Sequence, residues 1–139
     1  MADSSARVLF VEDDTRLAGI VVRHLRARGH DARAVDSAEE AAEMVRSGFR
    51  PTVVLLDINL PGASGWDLLR GGQLRPTGAP VYIVTATTVA PARLREFDVA
   101  GVLPKPFAMP TLIDVVERTI ATAGAGPAAT SAELEDLGA

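Results

Sequence analysis

The sequence predicts an α/β domain built on a doubly wound five-stranded parallel sheet. Short apolar runs without polar alternation read as strands buried on both faces, and amphipathic helical patterns follow them in turn. The residues that a core does not need, carboxylates, a hydroxyl and a lysine, stand at the C-terminal ends of those runs. That is where open α/β sheets bind ligands. Short right-handed connections then leave few topologies.

Arg7 to Val11 is the first strand, an apolar run that stops at Glu12-Asp13-Asp14. One of these acids can cap the next helix, but three in a row repel one another and ask for another explanation. That helix spans Thr15 to Arg28, with Leu17, Ile20, Val21, His24 and Leu25 expected on one face, and ends at Gly29. His30 to Val35 forms a weaker second strand. Ser37 to Glu40 matches a capping box, opening a helix whose face is Ala38, Ala41, Ala42 and Val45 and which Gly48 ends.

The central run, Val53 to Leu56, ends abruptly at Asp57, and Pro61-Gly62 turns the chain away. Asp is also common at strand-to-turn junctions, so position alone leaves a capping role open. A third helix begins at Gly65 through Trp66, Leu68 and Leu69 toward Leu74, and Gly71-Gly72 should shorten it at about 1 kcal/mol per glycine. Val81 to Val84 is the fourth strand, followed by Thr85 and Ala86. A short helix from Pro91 to Phe97 leads to a fifth strand at Gly101 to Leu103. Lys105 follows between Pro104 and Pro106, so its ammonium is aimed from a stiff backbone and either X-Pro bond is a candidate for cis. The last helix, Pro110 to Ala121, is expected to bury Leu112, Val116 and Ile120. Residues 122–139 read as a flexible Ala/Gly-rich tail outside a domain of residues 1–121.

Composition narrows the function classes. The 139 residues hold no cysteine, which removes disulfides, thiolate metal sites and cysteine nucleophiles. Eighteen acidic against fourteen basic side chains give a formal charge of −4 and no general attraction to nucleic acid. No run approaches the ~20 apolar residues of a membrane span, and the N-terminus lacks the pattern of a signal peptide. A cytoplasmic protein is expected. Nucleotide chemistry is disfavoured, since no Gly-rich phosphate loop with its lysine follows the first strand.

Together VLFVEDD, LLDINLPGASG, IVTA and LPKPF, in this order and spacing, resemble the receiver domain of two-component response regulators, over residues 7 to about 121. The resemblance implies a flavodoxin-like (CheY-like) sheet of order 2-1-3-4-5 and phosphorylation of Asp57 by a partner's phosphohistidine. It further implies Mg²⁺ held by Asp13, Asp57 and the Asn59 backbone carbonyl, with Glu12 acting through water. Thr85 would be the switch hydroxyl and Lys105 the cation that pairs with the phosphoryl group, while backbone N–H groups of Asn59 and Ala86 contact it. Asn59 and Thr87 would flank the attack path and bear on the lifetime of the phosphorylated state.

The implied partners are a histidine kinase or histidine phosphotransfer protein and an unknown downstream protein target, with no direct nucleic acid or membrane contact. Oligomeric state is left open between monomer and weak dimer. With no output domain after residue 121, the expectation is a stand-alone regulator acting through relay or docking. Val102 stands where the family usually has an aromatic, and the interval from Thr85 to Lys105 is a couple of residues short. These departures suggest an alternative, a receiver-like interaction module that is not phosphorylated, against which stands the presence of all five site residues, Glu12, Asp13, Asp57, Thr85 and Lys105. An aspartate-nucleophile phosphatase of the haloacid dehalogenase type would need a second Asp where Asn59 stands. His24 and His30 read as ordinary surface or half-buried histidines, with no acid partner implied.

The physical chemistry agrees on one point: two carboxylates ~5 Å apart repel by about 3 kcal/mol at an effective dielectric near 20, so an acid pair there is costly to a fold unless a cation joins it.

Overall fold

The computed structural model describes residues 5–125. Five strands, β1 (Arg7–Val11), β2 (Asp31–Val35), β3 (Val53–Leu56), β4 (Val81–Thr85) and β5 (Gly101–Pro104), form one parallel sheet of order β2-β1-β3-β4-β5. The helices are α1 (Thr15–Ala27), α2 (Ala38–Arg46), α3 (Gly65–Arg70), α4 (Pro91–Glu96) and α5 (Met109–Ala125). This is the doubly wound sheet that the sequence predicts, in the order implied by the family resemblance.

Alternation along the strands divides the core into two layers. Val8 and Phe10 of β1 and Val53 and Leu55 of β3 face α1 and α5, packing on Val21, Leu25, Leu112 and Val116. Leu9, Val11, Val54 and Leu56 point the other way, onto Ala38, Ala41 and Val45 of α2 and Leu68 of α3. All four residues of β3 are buried, as a central strand covered on both faces requires.

The helix starts are written locally. Asp14 caps α1, its Oδ1 accepting from the N–H groups of Arg16 and Leu17 at 3.1 Å each. Ser37 caps α2 by accepting from Glu40 N–H at 3.1 Å. At α3 both halves of a capping box form: Asp67 N–H donates to Ser64 Oγ and Ser64 N–H donates to the Asp67 carboxylate. Gly71 and Gly72 do shorten α3, which ends at Arg70 and passes into a single 3-10 turn, Arg75–Thr77. The Lys105–Pro106 peptide is cis.

Three expectations need correction. The buried face of α1 is Ala18, Val21 and Leu25, flanked by Leu17 and Val22, while Ile20 and His24 are exposed. Ala18 lets the helix lie close to the sheet, which turns Ile20 outward, and His24 Nδ1 bonds back to the Ile20 carbonyl at 2.9 Å. His30 precedes β2 and is buried with an acid partner, since its Nε2 lies 3.0 Å from Glu117 on α5. Finally, α5 runs four residues beyond Ala121, to Ala125, where Ala123 and Ala125 favour helix and Gly124 does not, so the turn already formed is simply continued. It buries Val115 beside Leu112 and Val116, with Ile120 half-buried. The rest of the expected tail, residues 126–139, lies outside the described residues.

α4 is held differently from the other helices. None of its residues is buried. It is anchored by Phe97 at its C-terminal end, which stacks on Trp66 of α3 with ring centroids 5.1 Å apart. The Arg93 and Arg70 guanidinium groups lie over these rings, 5.7 Å from the Trp66 centroid and 5.4 Å from the Phe97 centroid.

Candidate functional site

The strand order sets the ends of β1, β3, β4 and β5 side by side. Backbone hydrogen bonds continue past the strands and fix the site residues themselves. Asp57 N–H donates to the Val11 carbonyl at 3.0 Å and Lys105 N–H to the Thr85 carbonyl at 2.8 Å, while Glu12 N–H donates to the Val35 carbonyl at 2.9 Å. These side chains therefore leave the sheet from adjacent, ladder-held positions, and loop freedom does not enter.

Glu12, Asp13 and Asp57 form one cluster, each offering a carboxylate oxygen within 4.8 Å of the others. Asp13 is exposed at the rim; Glu12 and Asp57 are buried. Lys105 reaches into the cluster. Its Nζ lies 2.6 Å from Glu12 Oε1 and donates to Asp57 Oδ2 at 3.0 Å. The other Asp57 oxygen, Oδ1, accepts from Asn59 N–H at 2.8 Å. Both oxygens of Asp57 are thus addressed by donors from opposite sides.

Burial pushes the Glu12 carboxyl above its ordinary value, and the nearby Asp57 charge adds to this. The Lys105 ammonium and the Asp14 N–H, 3.1 Å from Oε2, offset it only in part. Burial works against the Lys105 charge as well, but hydrogen bonds and attraction from Glu12 and Asp57 outweigh it, and the ammonium is held above its ordinary value. Glu12 Oε1 is sealed from water and lies 2.6 Å from the Lys105 ammonium, which compensates its charge.

The donor set suits a hard cation. It is all oxygen, and three carboxylates against one ammonium leave a local charge of 1 − 3 = −2, which a divalent ion would balance. Thr85 is buried and joined to the cluster through Asn59, whose Nδ2 donates to Thr85 Oγ1 at 3.3 Å. Ala86 follows Thr85 at the exposed rim. All seven residues singled out in the sequence therefore lie at neighbouring strand ends. The Asn59 side-chain link to Thr85 was not foreseen, since a loop's side-chain direction leaves no trace in sequence periodicity.

The family model of the response regulator receiver domain matches residues 8–117. The chain belongs to that family. Among known proteins, the chain is 33% identical to protein Rrf1 of Nitratidesulfovibrio vulgaris over 121 residues, 87% of each chain. It is 32% identical to the response regulator MprA of Mycolicibacterium vanbaalenii over 131 residues, covering 88% of this chain but 55% of MprA. The chain thus spans about half the length of that relative. Among solved structures, the signal receiver domain of a putative Luxo repressor protein from Vibrio parahaemolyticus superposes with a TM-score of 0.76 at 27% identity, over 96% of both chains. The protein is therefore a receiver domain of two-component signalling with a CheY-like fold, and no helix among its described residues is long and apolar enough to cross a membrane.

Proposed function

We propose that Asp57 is the phosphoacceptor, charged by the phosphohistidine of a histidine kinase or a histidine phosphotransfer protein in a Mg²⁺-dependent reaction. The observation that carries this reading is the convergence on one carboxylate: Lys105 on one oxygen, Asn59 N–H on the other, and two more acids from β1 within reach. An ionised carboxylate needs no general base. In the step, an Asp57 oxygen attacks phosphorus in line, the new O–P bond forms as the N–P bond breaks, and the imidazole nitrogen leaves with the electron pair.

Catalysis then consists of positioning and of neutralising charge on the phosphoryl oxygens. Lys105 supplies one positive charge from where it already stands, and it would shift from the carboxylate to the transferred group. Thr85 donates its hydroxyl to that group, with the N–H groups of Asn59 and Ala86 beside it. Asp13, Asp57 and the Asn59 carbonyl would hold Mg²⁺, with Glu12 acting through water. When bound, the ion would supply the charge balance that the acidic cluster leaves open. The chain in this sense assists its own phosphorylation and dephosphorylation. The signalling unit closes with α5, Met109–Ala125, and the signal leaves through a partner protein in the cytoplasm.

Incubation with Mg²⁺ and acetyl phosphate, read by intact mass, tests this. The wild type should gain one phosphoryl group, Asp57→Asn none, and Asp13→Ala far less. A wild type that gains nothing is the unphosphorylated interaction module instead, and a D57N variant labelled like wild type would refute the assignment of Asp57.

A further inference from the structure

The hydrogen bonds around Thr85 can be counted to completion. Thr87 N–H donates to Thr85 Oγ1 at 3.1 Å and Asn59 Nδ2 donates to the same oxygen at 3.3 Å. A threonine hydroxyl has two acceptor positions and one proton, so both acceptor positions are filled. The remaining contact, 2.9 Å between Thr85 Oγ1 and Thr87 Oγ1, must then be the one in which Thr85 gives its proton to Thr87. Thr85 is 1% exposed, so water offers that proton no ready alternative, whereas Thr87 is exposed and can turn its own hydroxyl to solvent.

We propose that Thr87 is a positioning residue that clasps the Thr85 hydroxyl: its side-chain oxygen takes the Thr85 proton while its backbone N–H fills a Thr85 lone pair. This rests on the reading of Asp57 as phosphoacceptor. An anion on Asp57 needs the same proton, so Thr85 must give up Thr87 before it can respond. The clasp thereby sets how readily the site passes to its anion-bound arrangement. It lies between β4 and α4, where Ala86, Thr87 and Thr88 are exposed and Val89 packs partly on the core. Asn59 couples the two ends, with its N–H on Asp57 and its amide on Thr85.

Thr87→Val keeps the β-branched shape and the backbone N–H but removes the acceptor; Thr87→Ser keeps the acceptor and removes a methyl. In titrations of the Mg²⁺-loaded protein with beryllofluoride, a noncovalent phosphoryl mimic, T87V should bind roughly fivefold tighter than wild type, the worth of one hydroxyl bond. T87S should match wild type. Equal or weaker binding by T87V, or T87S behaving like T87V, overturns the clasp. Neutron diffraction from deuterated wild-type crystals, without beryllofluoride, decides the point independently. The deuteron on Thr85 Oγ1 directed at Thr87 supports the clasp, and a deuteron on Thr87 directed at Thr85 overturns it. Should the wild type not bind beryllofluoride at all, the phosphoacceptor reading fails, and the deuteron position still decides the clasp.

Discussion

Removing the lysine amine should show how far the acid cluster depends on a cation. In Lys105→Met the ammonium 2.6 Å from Glu12 and 3.0 Å from Asp57 is replaced by an apolar chain of similar length. At an effective dielectric near 20 each contact is worth about 6 kcal/mol gross, most of which only offsets the cost of taking the charges out of water. Breaking a buried pair typically costs about 3–5 kcal/mol. Because the Lys105 side chain is 20% exposed, the lower end applies, and we expect a loss of about 3 kcal/mol, or about 10 °C in Tm for a domain of this size. The assay is urea unfolding in chelator and again in saturating Mg²⁺. With Mg²⁺ the deficit should shrink, since a dication takes over the neutralisation, and K105M should bind Mg²⁺ more tightly than wild type because no ammonium competes for the same oxygens. A variant within about 1 kcal/mol of wild type in chelator, or one whose deficit is the same with and without Mg²⁺, would refute the reasoning.

Two further outcomes follow from contacts away from the cluster. The Glu117 carboxyl is lowered from 4.5 to about 2, first by its hydrogen bonds to Arg28 at 2.7 Å and then by His30. A depressed acid stabilises the fold above its unfolded value and loses that contribution as pH falls through the folded one, so the effect should fade between pH 4.5 and about 2. With Glu117 a third exposed and Arg28 half exposed, solvent screening leaves about 1 kcal/mol, and Glu117→Gln should flatten the acid limb of the stability curve by that amount in urea melts at successive pH values. A side chain at Gly65 would place its Cβ 2.7 Å from the Asp57 carbonyl oxygen and 2.8 Å from Ile58 Cα, both backbone atoms. Gly65→Ala should therefore cost about 1–3 kcal/mol by denaturant titration, and a neutral result would mean that the start of α3 is looser than its bond to Ile58 indicates.

What the sequence discloses and what it withholds divide along contact distance. β3 is legible because four apolar residues in a row leave no solvent face, and Asp57 is legible because its charge ends that run. The helix starts are legible because Asp14, Ser37 and Ser64 act within three residues of themselves. The burial of His30 is not, because its partner Glu117 lies 87 residues away and nothing in the pattern of β2 points to α5. The phase of α1 is off by one position for a related reason: Ile20 is more apolar than Ala18, but the sheet selects the smaller residue, and tertiary packing overrides the hydrophobic count. The Trp66 and Phe97 stack joins two short helices across 31 residues and has no periodic signature. At the candidate site the convergence of Glu12, Asp13, Asp57, Thr85 and Lys105 follows from their places at strand ends, while the hydrogen bonds through Asn59 and Thr87 depend on side-chain directions in loops that no sequence period encodes.

Of the fourteen basic side chains, thirteen are arginine and Lys105 is the single lysine. Apart from the α-amino group, the molecule's whole inventory of alkyl amines is one nitrogen wedged between two carboxylates. Amine-directed reagents, whether acylating dyes, cross-linkers or immobilisation resins, must either spare the side chains or strike the one position whose charge the acids depend on. Occupancy of the pocket can accordingly be followed as protection of a single labelling site, and a surface coupled through lysine would present a crippled molecule.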